Sequence, residues 1–215
     1  MHTQCERGVT AWFAFGLMNI FSWLHFLRLT TATQAAMALA DVHNSDKEGQ
    51  AAIAHTDIST GQFIFVHGTL KLNDFNRARF LLKKKNATGV NCPYFVSFNP
   101  GKVRSPEEYR YNPQSEKVDV FSFGHVLFAI LDDHYPFHDV SSADTKTYVI
   151  ENKMPALSAF LQDSKDSIEM ALIEAIRMCY EWDQYKRSTA RQISDFLRSA
   201  MQKYDPGTLE TWGDA

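Results

Sequence analysis

This chain of 215 residues contains few cysteines and has a small net charge. Its three cysteines, Cys5, Cys92 and Cys179, lie far apart in the sequence. They match neither a zinc-ligand spacing nor a disulfide framework, which favours a reducing, cytoplasmic location. The formal net charge is only −3, so the sequence carries no basic footprint for nucleic acid, and we expect no nucleic-acid partner.

Long apolar runs are also lacking, and the longest, residues 11–27, leaves two interpretations open. It contains Asn19, Ser22 and His25 and falls short of the roughly 20 mostly apolar residues that span a membrane. We favour a soluble core helix that is followed by a turn into a second helix at Thr30. The alternative is a membrane anchor formed by the same run.

The composition is that of a globular protein with one sizeable core, since 45% of the residues are hydrophobic and 22% are charged. Apolar residues recur at helical spacing in several segments. The pattern predicts helices over residues 30–43, 116–131, 142–152 and 166–180, and a last helix that Ser188 or Thr189 caps.

Segment 55–76 places two aspartates on consecutive loops. Residues 62–66 form a β-rich run, His67-Gly68 is typical of a turn, and residues 70–72 form a second short run. The spacing predicts a β-hairpin with Asp57 in the loop before it and Asp74 in the loop after it.

These residues and their order give a resemblance to protein kinases. His55-Thr56-Asp57 resembles the catalytic H-R-D motif, and Asp74-Phe75-Asn76 resembles the metal-binding D-F-G motif. Further matching stretches follow in the family's order: Arg104-Ser105-Pro106-Glu107, residues 117–124, Tyr135-Pro136-Phe137, and the series Cys179, Asp183 and Arg187. Each motif is weak by itself, but together they cover about two thirds of the chain.

The resemblance implies an α+β, mainly α-helical fold, namely a protein-kinase-like C-terminal lobe over residues 20–203 whose small hairpin bears the two loops. An apolar or irregular segment, residues 1–19, precedes this lobe, and a flexible tail, residues 204–215, follows it. No G-x-G-x-x-G and no V-A-I-K-like strand occurs in the chain. We therefore expect the nucleotide-clamping N-terminal lobe to be absent.

The resemblance also assigns roles at the site. Asp57 is the implied catalytic base, and Asp74 is the implied ligand for the Mg²⁺ that bridges to the ATP phosphates. Gln62 stands where the family has a second metal-binding asparagine, and its extra methylene should weaken that contact. Thr56 and Ser59 stand where kinases usually carry an arginine and a lysine.

Five further residues have implied architectural roles. His55 and Phe75 should pack together in the core beneath the two aspartates. Asp119 should anchor the backbone of the catalytic-type loop, and Glu107 should form a buried ion pair with Arg187.

Two functions remain open. One is ATP-dependent phosphoryl transfer to a protein hydroxyl, weak in this chain because the phosphates lack a covering loop. The other is a pseudokinase-type module that binds a partner protein.

Overall fold

The structure is a computed structural model that describes residues 9–84, 91–96, 100–205 and 207. Of residues 9–22 it describes only the helical backbone. The first eight residues and most of the predicted tail lie outside the described residues. Seven α-helices are described: α1 (Val9–His43), α2 (Pro106–Tyr109), α3 (Lys117–Asp132), α4 (Ser142–Ile150), α5 (Ala159–Gln162), α6 (Ser167–Cys179) and α7 (Ala190–Tyr204).

The described residues also form two short antiparallel sheets. Strand β1 (Ile53–Ala54) pairs with β4 (Arg79–Phe80), and β2 (Phe63–Val66) pairs with β3 (Thr69–Leu72). The second pair is the predicted hairpin, with a register that sets Phe63 opposite Leu72. Short 3₁₀ turns, Thr60–Gln62 and Phe75–Arg77, lie before and after it. The expectation of a mainly helical chain with a small hairpin is confirmed.

Helix α1 differs from the prediction, because it runs from Val9 to His43 without a turn before Thr30. Threonines need not end a helix when their hydroxyls bond to the preceding turn. The Oγ1 atoms of Thr31 and Thr33 donate to the carbonyl oxygens of Leu27 and Leu29, at 2.8 and 2.7 Å. No proline interrupts the segment, so the helix continues.

The core lies where α1 packs on α7 and α3 packs on α6. Helix α3 is apolar on nearly every face, which is typical of a helix inside a protein. Gly124 lets α3 approach the end of α6 closely, because a Cβ atom there would lie 2.6 Å from the Tyr180 ring. Fully buried residues of this core include Leu39, Phe123, Leu127, Leu172, Ile193 and Leu197.

Among the helices in the described part of the chain, none combines the length and the apolar character needed to cross a membrane.

Candidate active site

The backbone of the first predicted loop, residues 55–57, is hydrogen-bonded to a buried carboxylate. Asp119 lies in the first turn of α3 and is 1% exposed. Its Oδ2 accepts the His55 backbone N–H at 2.6 Å, and its Oδ1 accepts that of Thr56 at 2.7 Å. A buried carboxylate needs such donors, and charge-assisted bonds of this kind are strong. The loop backbone is therefore fixed to the central helix.

His43 is a third donor to the same carboxylate, and sequence reasoning missed it. It ends α1, is buried, and its Nε2 lies 3.0 Å from Asp119 Oδ2. The only sequence signal was a histidine on an apolar helical stripe, which is more often an ordinary core residue. The contact joins α1 to the loop through α3.

Thr56 holds a backbone conformation that a β-branched residue rarely adopts, with φ of 65°. Contacts on both sides hold it there. Its Oγ1 donates to the Arg77 carbonyl at 2.7 Å, and its own carbonyl accepts Arg104 Nη1 at 3.2 Å. Such strain persists where the surroundings determine the backbone, and it is common at functional sites.

His55 links this loop to the second one. Its Nε2 lies 2.8 Å from the carbonyl oxygen of Asn73, and its Nδ1 lies 3.3 Å from the Asp57 backbone nitrogen. A carbonyl accepts and an N–H donates, so these partners select the neutral tautomer with the proton on Nε2. The Asn73 N–H in turn donates to the Gln62 carbonyl at 2.8 Å. The residue before Asp74 is thus tied to the first loop.

Asp74 is exposed and has left-handed backbone angles, with φ of 61° and ψ of 66°. The ring of the next residue, Phe75, lies 5.1 Å from that of His55 in an edge-on arrangement. However, Phe75 is 45% exposed, so the expectation that it packs in the core is wrong. The 3₁₀ turn that contains it has no buried residue, so Phe75 contacts His55 at the surface.

Asp57 lies beside two arginines. Its Oδ1 lies 2.8 Å from Arg104 Nη2 and 3.9 Å from Arg77 Nη1. Its own side chain is 27% exposed, so solvent or a ligand can reach it. The loop has no arginine at position 56 or lysine at 59, yet Arg104 brings a cation from a distant segment. Sequence reasoning placed Arg104 in a motif but did not foresee this contact.

The segment after Arg104 is firmly capped. Ser105 and Glu108 form a capping box at the start of α2, with the Ser105 N–H donating to Glu108 Oε2 at 2.8 Å. Burial raises the pKa of Glu108 to about 7, although the Arg104 charge and the Ser105 bonds oppose the rise.

Glu107 and Arg187 form a buried, bidentate ion pair. The distances are 2.6 Å from Nη1 to Oε1 and 3.1 Å from Nη2 to Oε2. Arg187 also donates to the carbonyls of Glu181, Lys117 and Trp182. Both side chains are almost fully buried, so the pair joins α2 to the segment before α7.

The donor types present suit Mg²⁺, which prefers oxygen ligands and keeps several waters. Asp74 offers a carboxylate, and Gln62 offers an amide oxygen at the end of its 3₁₀ turn. Within the described ranges, no group of three or more His, Cys, Asp or Glu side chains could hold a metal. A kinase-type magnesium site does not need one, since substrate phosphates complete its coordination.

A comparison with known protein families shows which family the chain belongs to. The protein kinase domain matches residues 28–196, which is most of the chain. The chain belongs to the protein kinase domain family. This family generally uses ATP and magnesium and acts on proteins.

Relatives of the chain are distant. A probable serine/threonine-protein kinase of Dictyostelium discoideum is 28% identical over 68% of the chain and 15% of its own length. A probable LIM domain-containing serine/threonine-protein kinase of the same organism is 24% identical over 81% of the chain and 16% of its length. Mitogen-activated protein kinase kinase kinase 13-B of Xenopus laevis is 33% identical over 42% of the chain and 9% of its length. The chain thus spans less than a fifth of each of these proteins.

Proposed function

We propose that this chain is a protein-kinase-like module that transfers the ATP γ-phosphate to a protein hydroxyl, and that it does so slowly by itself. Asp57 accepts the hydroxyl proton as the hydroxyl oxygen bonds to the γ-phosphorus and ADP leaves, and Asp74, with Gln62 as a weaker second ligand, would hold the Mg²⁺ that accompanies ATP. The observation that carries this proposal is the set of bonds from His55 to both loops. The His55 ring accepts the Asp57 N–H and donates to the Asn73 carbonyl, so it links the loop of Asp57 to the residue before Asp74.

Phosphoryl transfer depends mainly on how precisely the reacting groups are positioned. Phosphoryl transfer involves little covalent work by the protein, so most of the rate comes from alignment and charge stabilisation. The Asp119 bonds to the backbone of His55 and Thr56 provide part of that alignment. Mg²⁺ supplies the charge that neutralises the phosphates when it is bound with ATP.

Two sequence features support a low rate. The chain has no glycine-rich loop to cover the phosphates, so ATP is less confined than in a complete kinase site. Gln62 places its amide oxygen one methylene farther from the backbone than an asparagine would, and Mg²⁺ tolerates little departure from octahedral geometry.

The second candidate is a partner-binding module without turnover. It is favoured by the Arg104 contact, because Asp57 already has a cationic partner at 2.8 Å before any substrate arrives. In this case the protein partner binds the lobe, and the two aspartates serve the loop structure alone. For both candidates we propose a cytoplasmic protein that does not bind nucleic acid.

A radiolabelled-ATP assay with a generic acceptor protein separates the two. We expect Mg²⁺-dependent transfer well below the roughly 1–100 per second of ordinary kinases. Asp57→Asn and Asp74→Asn should each remove the signal, whereas Asp195→Asn, at an exposed position on α7, should not. Incorporation equal to a protein-free blank for the parent and all variants would support the second candidate instead.

A further inference from the structure

The candidate catalytic loop has no positive charge of its own, and one residue outside it provides that charge. Residues 55–59 read His-Thr-Asp-Ile-Ser, and His55 is in its neutral tautomer by its hydrogen bonds. Arg104 lies 47 residues after Asp57, just before α2, and is only 5% exposed. Its guanidinium is therefore a buried cation that reaches the loop from another part of the chain.

Every nitrogen of that guanidinium has a partner. Nη2 donates to Asp57 Oδ1 at 2.8 Å, Nη1 donates to the Thr56 carbonyl at 3.2 Å, and Nε donates to the Pro100 carbonyl at 3.1 Å. The planar fork of an arginine fixes these directions relative to one another. One side chain thus sets both the orientation of the Asp57 carboxylate and the strained backbone just before it.

We propose that Arg104 is the positioning residue of the phosphoryl-transfer site, and that it supplies the positive charge missing from loop residues 56 and 59. This inference rests on the proposed function, since a positioning role has meaning only where Asp57 acts as a base. Arg104 does not contact substrate in this role. It acts by holding one oxygen of Asp57 so that the carboxylate keeps a single orientation towards an incoming hydroxyl.

Arg77 cannot take this role. Its Nη1 is 3.9 Å from Asp57 Oδ1, and its side chain is 32% exposed, against 7% for Arg104. A separation of 3.9 Å is too long for a hydrogen bond, and partial exposure to water and salt weakens the ion pair further. The shorter, buried contact is the one that can fix a side chain.

A purely structural clamp would be the competing explanation, because a buried arginine needs partners in any case. The two explanations differ in what they predict for turnover. A clamp affects folding and leaves the turnover of folded molecules unchanged, whereas a positioning residue affects kcat. A misplacement of about 1 Å can cost about 100-fold in rate.

The test compares Arg104→Met, which keeps length without charge, with Arg104→Lys, which keeps the charge. The control is Arg198→Met, an exposed arginine on α7. We expect Arg104→Met to lower kcat for Asp57-dependent transfer by about 100-fold, with little change in KM for ATP. Arg104→Lys should recover part of that loss, and Arg198→Met should behave as the parent. All rates are taken per folded molecule, well below the unfolding midpoint of each variant.

Three outcomes overturn the inference. One is a kcat for Arg104→Met equal to that of the parent, which would leave a structural clamp. Another is a rise in kcat, which would show that the ion pair restrains the base. The third is a lysine variant no better than the methionine variant. Failure of the proposed function has a different signature, because the parent itself would then show no transfer that depends on Asp57.

Thermal unfolding provides a second measurement that does not need activity. If Arg104 and Asp57 are coupled, the midpoint shifts of Arg104→Met and Asp57→Asn should not add in the double variant. Additive shifts would mean that the two side chains act independently, and the inference would fail. If Arg104→Met is too unstable for kinetics, the same comparison of single and double variants can be made with Arg104→Lys in its place.

Discussion

His43 Nε2 and Asp119 Oδ2 lie 3.0 Å apart at the junction of α1, α3 and the candidate catalytic loop. The two residues are 76 positions apart in the chain, and both are buried. The same carboxylate accepts the backbone N–H groups of His55 and Thr56. One aspartate therefore joins the two main helices to the loop that carries Asp57, and any change in its charge or shape should reach that loop.

The Asp119 junction gives the first prediction. Asp119→Asn keeps the shape but replaces one acceptor oxygen with an NH₂ group, which would face a backbone donor or His43. A buried donor left without its acceptor costs about 1–3 kcal/mol, so we expect a loss of about that size in the free energy of unfolding. Urea denaturation measures it, with the exposed Asp195→Asn as the control. Equal midpoints for the two variants would contradict the proposed anchoring.

The ion pair between Glu107 and Arg187 gives the second prediction. Arg187→Ala leaves the buried Glu107 carboxylate without its partner and removes three bonds to backbone carbonyls. Breaking a buried pair costs about 3–5 kcal/mol, and thermal or urea unfolding should show a loss of this size.

Arg191 is the matched control for that experiment. It also pairs with carboxylates, Asp41 and Glu48, but both of these are well exposed. Exposed pairs contribute about 0–1 kcal/mol, so Arg191→Ala should change stability little. A loss of the same size in both variants would show that burial does not distinguish the two pairs.

Buried titrating groups give a prediction on pH. Burial lowers the pKa of His125 to about 4 from an ordinary 6.5. Between pH 6.5 and 4 the unfolded chain binds a proton at this site that the folded chain does not, so the contribution of His125 to stability falls as pH decreases. Burial raises the pKa of Glu108 to about 7. Between pH 7 and 4.5 the folded chain keeps a proton that the unfolded chain releases, so the contribution of Glu108 to stability rises as pH decreases.

These opposing contributions should partly cancel in the parent and separate in variants. His125→Phe keeps an aromatic ring but removes the His125 contribution, which falls as pH decreases. From pH 7 to pH 5, the unfolding free energy of this variant should therefore rise relative to that of the parent. Glu108→Gln keeps the hydrogen-bonding shape and should show the opposite. Each difference should be about 2 kcal/mol, since one pKa unit corresponds to about 1.4 kcal/mol. Urea titrations at pH 7 and 5 give the unfolding free energies. The same change with pH in the parent, His125→Phe and Glu108→Gln would contradict the pKa shifts of these two residues.

The sequence predicted the regular elements well and the long-range polar contacts poorly. Helices α3, α6 and α7 carry their own signals, namely an apolar pattern and, for α7, the Thr189 cap. The hairpin followed from the two short β-rich runs and the His67-Gly68 turn between them. The helix through Thr30 did not, because whether a threonine ends a helix depends on a side-chain bond within the turn. The short helix α5 had too few residues for a periodic signal.

At the candidate site, motif spacing pointed to residues 55–57 and 74–76 but not to what holds them. His43 and Arg104 act through contacts across 76 and 47 residues. No local pattern encodes such pairings, since they exist only once the helices have packed. The exposure of Phe75 was likewise missed, because an aromatic residue in a motif gives no sign of which neighbours cover it.

The apolar run at residues 11–27 gives the last prediction, that it does not anchor the chain in a membrane, although Trp23, Leu24 and Leu27 are exposed and not in the core as expected. Two polar residues at the end of this run pair with carboxylates of other segments. His25 faces carboxylate oxygens of Asp166 and Glu169 at 3.4 and 3.2 Å, and Arg28 pairs with Asp133. These carboxylates hold His25 and Arg28 against α6 and the end of α3, and such polar groups disfavour a hydrocarbon environment.

Cell fractionation with a carbonate wash tests this. We expect the chain in the soluble or washed fraction. A variant with Trp23 and Leu27, both exposed on α1, changed to glutamine should fractionate in the same way if no membrane contact depends on them. Recovery of the parent in the washed membrane pellet would contradict the prediction. Release of the glutamine variant from that pellet would then locate the membrane contact on this face of α1, because exposed aromatic and aliphatic side chains are the groups that bury into a lipid surface.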